Sequence, residues 1–236
     1  MNATLVTGGT RGIGYAVAEA LLRDGGSVAV TGTSNDSVVK AEHRLVSACG
    51  DAGRVTGIVC DVRDPASVEL AVRTVVARYG GLDALVNNAG VGVGGPIADL
   101  PIDEWNRIID TNLTGVFHCC RAAIPHFRTR GGGWIVNISS LAAKNAFVGG
   151  AAYCASKAGL NAFSEALMQE LRYDNIRVTY VMPGSVSTEF AGREAGNGSD
   201  WKLRPRDVAQ VIVDVMRHPA RSLPSRIEIR PSRPRK

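Results

Sequence analysis

The chain has 236 residues, of which 45% are hydrophobic and 21% charged, enough apolar material for a buried core and incompatible with global disorder. Its net charge of +5 is concentrated in residues 217–236, where Arg217, Arg221, Arg226, Arg230, Arg233, Arg235 and Lys236 face Glu228 alone; residues 1–216 sum to −1, so no basic stripe suited to nucleic acid runs across the chain. No run of 18 apolar residues and no basic leader is present, so neither a membrane span nor a secretory signal is expected, and five cysteines without C-x-x-C spacing read as reduced thiols of a cytoplasmic protein.

Short β-branched runs recur along the chain at Thr4–Thr7, Ser27–Thr31, Val55–Val59, Ala84–Asn87, Trp134–Ile138, Val178–Val181 and Arg226–Arg230, and each predicts a strand. Between them lie segments with helical spacing. Tyr15–Leu22 follows the first strand, Val68, Ala71, Val72, Val75 and Val76 mark a helix behind Asp64-Pro65, and Leu160, Phe163, Leu167 and Leu171 mark another. Arg204-Pro205-Arg206-Asp207 opens a late helix. Because the early strands are apolar on both faces, the pattern predicts an α/β fold: a doubly wound parallel sheet of about seven strands covered by helices on each side. The whole of 1–236 reads as one domain, without linker or repeat. Ala191–Leu203 lacks periodicity and is expected to be a mobile loop over a site; Gly90–Gly95 is expected to be a flexible loop.

The first strand runs into Thr7-Gly8-Gly9-Thr10-Arg11-Gly12-Ile13-Gly14. A strand, a glycine turn and a helix start aim backbone N–H groups and the positive helix end at one point, which suits a pyrophosphate and so a dinucleotide. The spacing is neither G-x-G-x-x-G nor a P-loop. Further on, Tyr153 and Lys157 are four residues apart on a predicted helix, so their heads can converge. At ~4 Å and an effective dielectric of ~20, an ammonium stabilises a phenolate by about 4 kcal/mol, which would bring a tyrosine from about 10 toward 7 and fit it for general acid/base work.

Thr7-Gly8-x-x-x-Gly12-x-Gly14, Asn87-Asn88-Ala89-Gly90, Asn112 in Thr111-Asn112-Leu113, Ser140, Tyr153-x-x-x-Lys157 and Pro183-Gly184 followed by Thr188 together resemble the short-chain dehydrogenase/reductase family over residues 1 to about 190. The resemblance implies a single Rossmann-like domain, a nicotinamide cofactor and interconversion of a small-molecule carbonyl and alcohol. It assigns Tyr153 as proton donor or acceptor, Lys157 as the group that lowers its pKa and holds the nicotinamide ribose, Ser140 as the hydrogen-bond partner of the reacting carbonyl, and Asn112 as holder of a relay water. By the same likeness Gly8, Thr10, Arg11, Gly12, Ile13 and Gly14 take the pyrophosphate side of the cofactor. Asp61 and Val62 take the adenine, Asn88, Ala89 and Gly90 the adjoining wall, and Pro183, Gly184, Val186 and Thr188 the nicotinamide end.

The second strand ends Val30-Thr31-Gly32-Thr33-Ser34, with no acid before Asp36 to hold a ribose 2′-hydroxyl. Thr33, Ser34 and Arg11 can instead donate to a 2′-phosphate, so NADP(H) is expected over NAD(H), the alternative. The C-terminal strand lacks the Gly-Gly of bacterial 3-oxoacyl-carrier-protein reductases, leaving a 3-oxoacyl thioester as one substrate option among others. A cofactor-binding regulatory or interaction protein without turnover is the rival reading, and the joint presence of Asn112, Ser140, Tyr153 and Lys157 counts against it. A hydrolase is excluded by the lack of a G-x-S-x-G elbow. Histidines 43, 118, 126 and 218 have no ligand spacing, so no metal is expected. A homo-oligomer, dimer or tetramer, is expected through the helices at about Trp105–Phe127 and Ala152–Arg172, which carry more apolar residues than one buried face needs.

Overall fold

The computed structural model describes residues 3–92, 95–188 and 200–234. Seven strands, β1 (Ala3–Val6), β2 (Ser27–Gly32), β3 (Val55–Val59), β4 (Ala84–Asn87), β5 (Gly133–Ile138), β6 (Ile176–Pro183) and β7 (Arg226–Ile229), form one sheet in the order β3-β2-β1-β4-β5-β6-β7. Every pairing is parallel. Successive residues on the central strands therefore feed opposite cores. Leu5, Leu85 and Ile135 point to one layer, with Val72, Cys119 and Leu160; Val6, Val86 and Val136 point to the other, with Val17, Leu21 and Ile212. The Rossmann-like doubly wound sheet read from the sequence is thus present.

Helices α1 (Gly12–Arg23), α2 (Asn35–Cys49) and α7 (Pro205–Met216) cover the second layer, and α3 (Pro65–Tyr79), α5 (Gly115–Thr129) and α6 (Ala151–Leu171) the first. The Asp64 carboxylate caps α3 by accepting from the Ala66 amide at 3.0 Å ahead of Pro65, and Asp207 accepts from the Arg204 amide at 2.7 Å to start α7. The segment expected as one helix at 105–127 begins earlier, at α4 (Ile102–Ile109), and passes into α5 through a π turn at Asp110–Thr114. The first helix begins at Gly12, not Tyr15, because Arg11 is still extended (φ −158°, ψ 176°) and the glycine turn itself supplies the first helical turn. Among the described residues no helix is long and apolar enough to cross a membrane. All five cysteines are free thiols.

With every strand parallel, the loops after β1, β2, β3, β4, β5 and β6 emerge on one edge. The strand order reverses beside β1 and β4, the crevice where ligands bind in open α/β sheets.

Candidate active site

The glycine turn leaves β1 at this crevice. Gly8 and Gly12 have φ of +60° and +58°, a region closed to most side chains, and a Cβ on Gly14 would stand 2.6 Å from the Gly8 carbonyl. The turn therefore presents bare backbone at the N-terminus of α1. The Asn88 side chain fixes its shape, donating to the Thr7 carbonyl at 3.0 Å and the Gly8 carbonyl at 2.9 Å, while the Thr7 hydroxyl oxygen accepts from the Asn88 and Ala89 amides, each at 3.0 Å. Asn88 acts on the turn itself, a role that its position in Asn87-Asn88-Ala89-Gly90 does not disclose. The Thr10 methyl lies against Gly32 of β2, Ile13 packs on the second core layer, Arg11 is exposed, and Thr188 lies over Gly12, where a Cβ would approach its methyl to 3.5 Å.

At the end of β2, Thr33 and Ser34 are exposed. The Ser34 hydroxyl caps α2, accepting from the Ser37 amide at 3.4 Å and donating to the Ser37 hydroxyl at 2.9 Å, so it is already engaged. After β3, Arg63 holds the Asp61 carboxylate through both oxygens at 2.6 to 3.0 Å and lowers its pKa. Val62 is buried against Gly115.

Ser140, Tyr153 and Lys157 converge from the end of β5 and the start of α6. Ser140 ends the β5 segment, its hydroxyl oxygen accepting from the Ala142 amide at 3.1 Å, and it is hydrogen-bonded to the Tyr153 side chain. Lys157 is 5% exposed; its ammonium donates to the Ile138 carbonyl at 2.8 Å, the one hydrogen bond it makes among the described residues, and lies 5.9 Å from the centre of the Tyr153 ring. The expected lowering of the tyrosine is not found. Burial pushes the Tyr153 phenol up, against the Ser140 hydrogen bond that pulls it down, and burial brings Lys157 down to about 8. Desolvation moves both groups away from the charged form.

Asn112 ties two segments of the site together. Its side-chain oxygen accepts from the Val91 amide at 2.8 Å, and its nitrogen donates to the Val91 carbonyl at 2.9 Å and the Ser156 hydroxyl at 3.0 Å. Both of its donors and one lone pair of its oxygen are occupied, so the side chain holds the loop after β4 to α6. Ser156, which sequence reading passed over, completes the link by donating to the Tyr153 carbonyl at 2.8 Å. Its place inside Tyr153-x-x-x-Lys157, facing the π turn, is the only signal it gives. Gly90 is open toward the site: a Cβ there would stand 3.3 Å from the Asn112 side-chain oxygen and 3.7 Å from the Lys157 nitrogen. Pro183 ends β6, and the Gly184 amide donates to the Ile229 carbonyl at 2.8 Å. Val186 bridges to Leu203. The expected lid is thereby anchored at one end; its residues 191–199 lie outside the described residues. The expected loop at 90–95 is held at both ends, at Val91 by Asn112 and at Gly95 by Gly149. Among the described residues no group of three His, Cys, Asp or Glu side chains gathers as a metal site.

The family model for short chain dehydrogenases matches residues 2–197. The chain belongs to the short-chain dehydrogenase family. A protein of Streptomyces virginiae described as a monensin polyketide synthase ketoacyl reductase is 44% identical over 191 residues, 80% of this chain and 72% of that one. The 3-oxoacyl-acyl-carrier-protein reductase of Salmonella typhimurium is 38% identical over 186 residues, 79% of this chain and 74% of the relative. Among solved structures, an alcohol dehydrogenase of the archaeon Thermococcus sibiricus complexed with 5-hydroxy-NADP superposes with a TM-score of 0.91 at 28% identity over the whole of both chains. An actinorhodin polyketide ketoreductase with NADPH gives 0.89 at 32%, covering 98% of this chain and 96% of the other. As a short-chain dehydrogenase the protein is an oxidoreductase that interconverts CH–OH and C=O groups with a nicotinamide nucleotide.

Proposed function

We propose that this short-chain dehydrogenase is an NADP(H)-dependent ketoreductase in which Tyr153 exchanges the proton and Ser140 hydrogen-bonds the reacting oxygen. The observation that carries the reading is the meeting of Ser140, Tyr153 and a buried, under-bonded Lys157 at the sheet edge that also bears the open glycine turn. Bound nicotinamide supplies the hydride. The residues fit such a cofactor: backbone at Gly8, Gly12 and Gly14 is bare toward the helix end, and Lys157 retains donors for ribose hydroxyls beside Gly90. When a carbonyl oxygen gains charge, the Ser140 hydroxyl and the neutral Tyr153 phenol are donors already aimed at it, and Tyr153 hands over its proton. Burial favours the neutral phenol, the form that donates a proton in the reduction direction. Asn112 and Ser156 hold the helix that carries Tyr153.

Support for NADP(H) over NAD(H) comes from the absence of an acid at the exposed end of β2, from Arg11 at the rim of the turn, and from the NADP-type molecules in the solved relatives. Homo-oligomer formation through α4, α5 and α6 is supported by Trp105 and Phe117, apolar side chains that stay exposed there, and a cytoplasmic setting by five free thiols. Loss of NADPH absorbance with a panel of ketones, aldehydes, quinones and 3-oxoacyl thioesters tests the reading. Cofactor binding with no turnover on any of them would refute it.

A further inference from the structure

The end of β5 meets α6 at three points one turn apart along the helix. Ser140 is hydrogen-bonded to Tyr153, the Ile138 carbonyl accepts from Lys157 at 2.8 Å, and the Ser139 hydroxyl donates to the Asn161 side-chain oxygen at 2.5 Å. Residues 153, 157 and 161 follow at intervals of four and so share one face of the helix. The roles assigned above leave the third contact out. It is enclosed all the same: Ser139 is 4% exposed, its hydroxyl stands 3.4 Å from the Lys157 carbonyl, and its amide donates to the Val181 carbonyl at 2.8 Å. Asn161 is anchored in turn, its nitrogen donating to the Met182 sulfur of β6 at 3.3 Å.

These bonds converge on the peptide unit between Ile138 and Ser139. Its N–H is taken by β6 and its carbonyl by the Lys157 ammonium, so a tilt of that unit moves the acceptor of Lys157 and, through the next residue, the Ser140 hydroxyl. The Ser139 side chain fixes the unit to α6, and Asn161 fixes α6 to β6. We propose that Ser139 and Asn161 are positioning residues for the reaction: the bond between them sets the height of α6 against the end of β5, and with it the placement of Lys157 and of Tyr153 relative to Ser140. Both act through these neighbours. The inference rests on the roles given to Ser140, Tyr153 and Lys157 above.

The test reads the rate of a single turnover per bound NADPH, with the fastest substrate among the ketones, aldehydes, quinones and 3-oxoacyl thioesters already named, so that unfolded protein does not count. Ser139→Ala and Asn161→Ala should each slow it by about tenfold to 100-fold, the loss expected when reacting groups shift by up to about 1 Å. The double variant should be no slower than the slower single one, because both changes remove the same bond. Ser139→Thr and Ser139→Val have the same shape and differ in the hydroxyl, so the threonine variant should be the faster by a similar factor. A rate per bound cofactor that stays at the wild-type value in the alanine variants, even with lowered urea stability, makes the bond a structural tie alone and overturns the proposal. Losses that multiply in the double variant, or equal rates for threonine and valine, overturn it likewise. If Ser139→Ala does not fold, Asn161→Ala breaks the same bond from its half-buried end and decides. Absence of turnover with every substrate, or a Tyr153→Phe protein as fast as wild type, defeats the assigned reaction instead, and this inference with it.

Discussion

Replacing Lys157 with methionine should stabilise the folded chain near neutral pH while abolishing turnover, and the pH dependence of the gain identifies its cause. Burial brings Lys157 from 10.5 down to about 8. At about 1.36 kcal/mol per unit, a lysine that stays charged inside the fold at pH 7 destabilises it by about 3 kcal/mol relative to the unfolded chain. The sign follows from proton counts. Between about pH 8 and 10.5 the unfolded chain holds one proton more than the folded one, so wild-type stability rises with pH through that window; below it both states hold the proton and the penalty is constant. Methionine keeps much of the volume and does not titrate, though it gives up the hydrogen bond to the Ile138 carbonyl, worth about 1 kcal/mol. The Lys157→Met protein should therefore lead the wild type by about 2 to 3 kcal/mol at pH 7, and wild type should recover about 3 kcal/mol against it by pH 10.5. Urea unfolding of both proteins at several pH values measures this, and taking the difference at each pH cancels the titration of other groups. A difference that stays flat with pH, or a variant less stable at pH 7, would refute the reasoning.

Tyr153→Phe should lower kcat by about 10² to 10⁴ and leave cofactor affinity within a few fold, as steady-state kinetics and NADPH fluorescence titration will show; retention of more than about a tenth of wild-type kcat is incompatible with the assigned role. Asn112→Ala removes the tie between Val91 and Ser156 and should lose about 1 to 3 kcal/mol in urea unfolding along with a drop in turnover; unchanged stability would contradict the side-chain clamp. Arg11→Ala should weaken NADPH by about tenfold to 150-fold in kcat/KM while sparing NADH. Thr33→Asp should reverse the preference, and it is a cleaner substitution than one at Gly32, where a Cβ would press to 2.6 Å against the Thr10 methyl. Equal kcat/KM for the two cofactors in the wild type would contradict both.

The strands were legible to within one or two residues because a sheet buried on both faces leaves uninterrupted runs such as Ala84–Asn87, and the helix starts because Asp64 and Pro65 have few other uses side by side. The meeting of Ser140 with Tyr153 was legible from their motifs, and the two side chains are hydrogen-bonded in the structure. What escaped was what tertiary packing decides. Nothing local says that the Asn112 amide is consumed by Val91 and Ser156, two segments that meet only once the sheet has formed. Charge spacing along a helix gave the sign of the Tyr153 and Lys157 interaction, but burial, which dominates both groups, arises only once distant segments have packed around them. The exposure of Phe147 and Val148 is likewise invisible in a run that composition would assign to a core.

The hydrogen bonds made by Asn88 and Asn112 form a continuous track. Asn88 holds Thr7 and Gly8, the short segment Ala89–Gly90 leads to Val91, and Asn112 passes from Val91 to Ser156 and so to the first turns of α6. In amide hydrogen exchange these stretches should open together as one cooperative unit, because freeing any of them breaks bonds that hold the next. Deuterium uptake at the start of α1 and at the start of α6 should then follow a common time course, and whatever quiets the breathing of the first should quiet the second, although the two lie far apart in the chain.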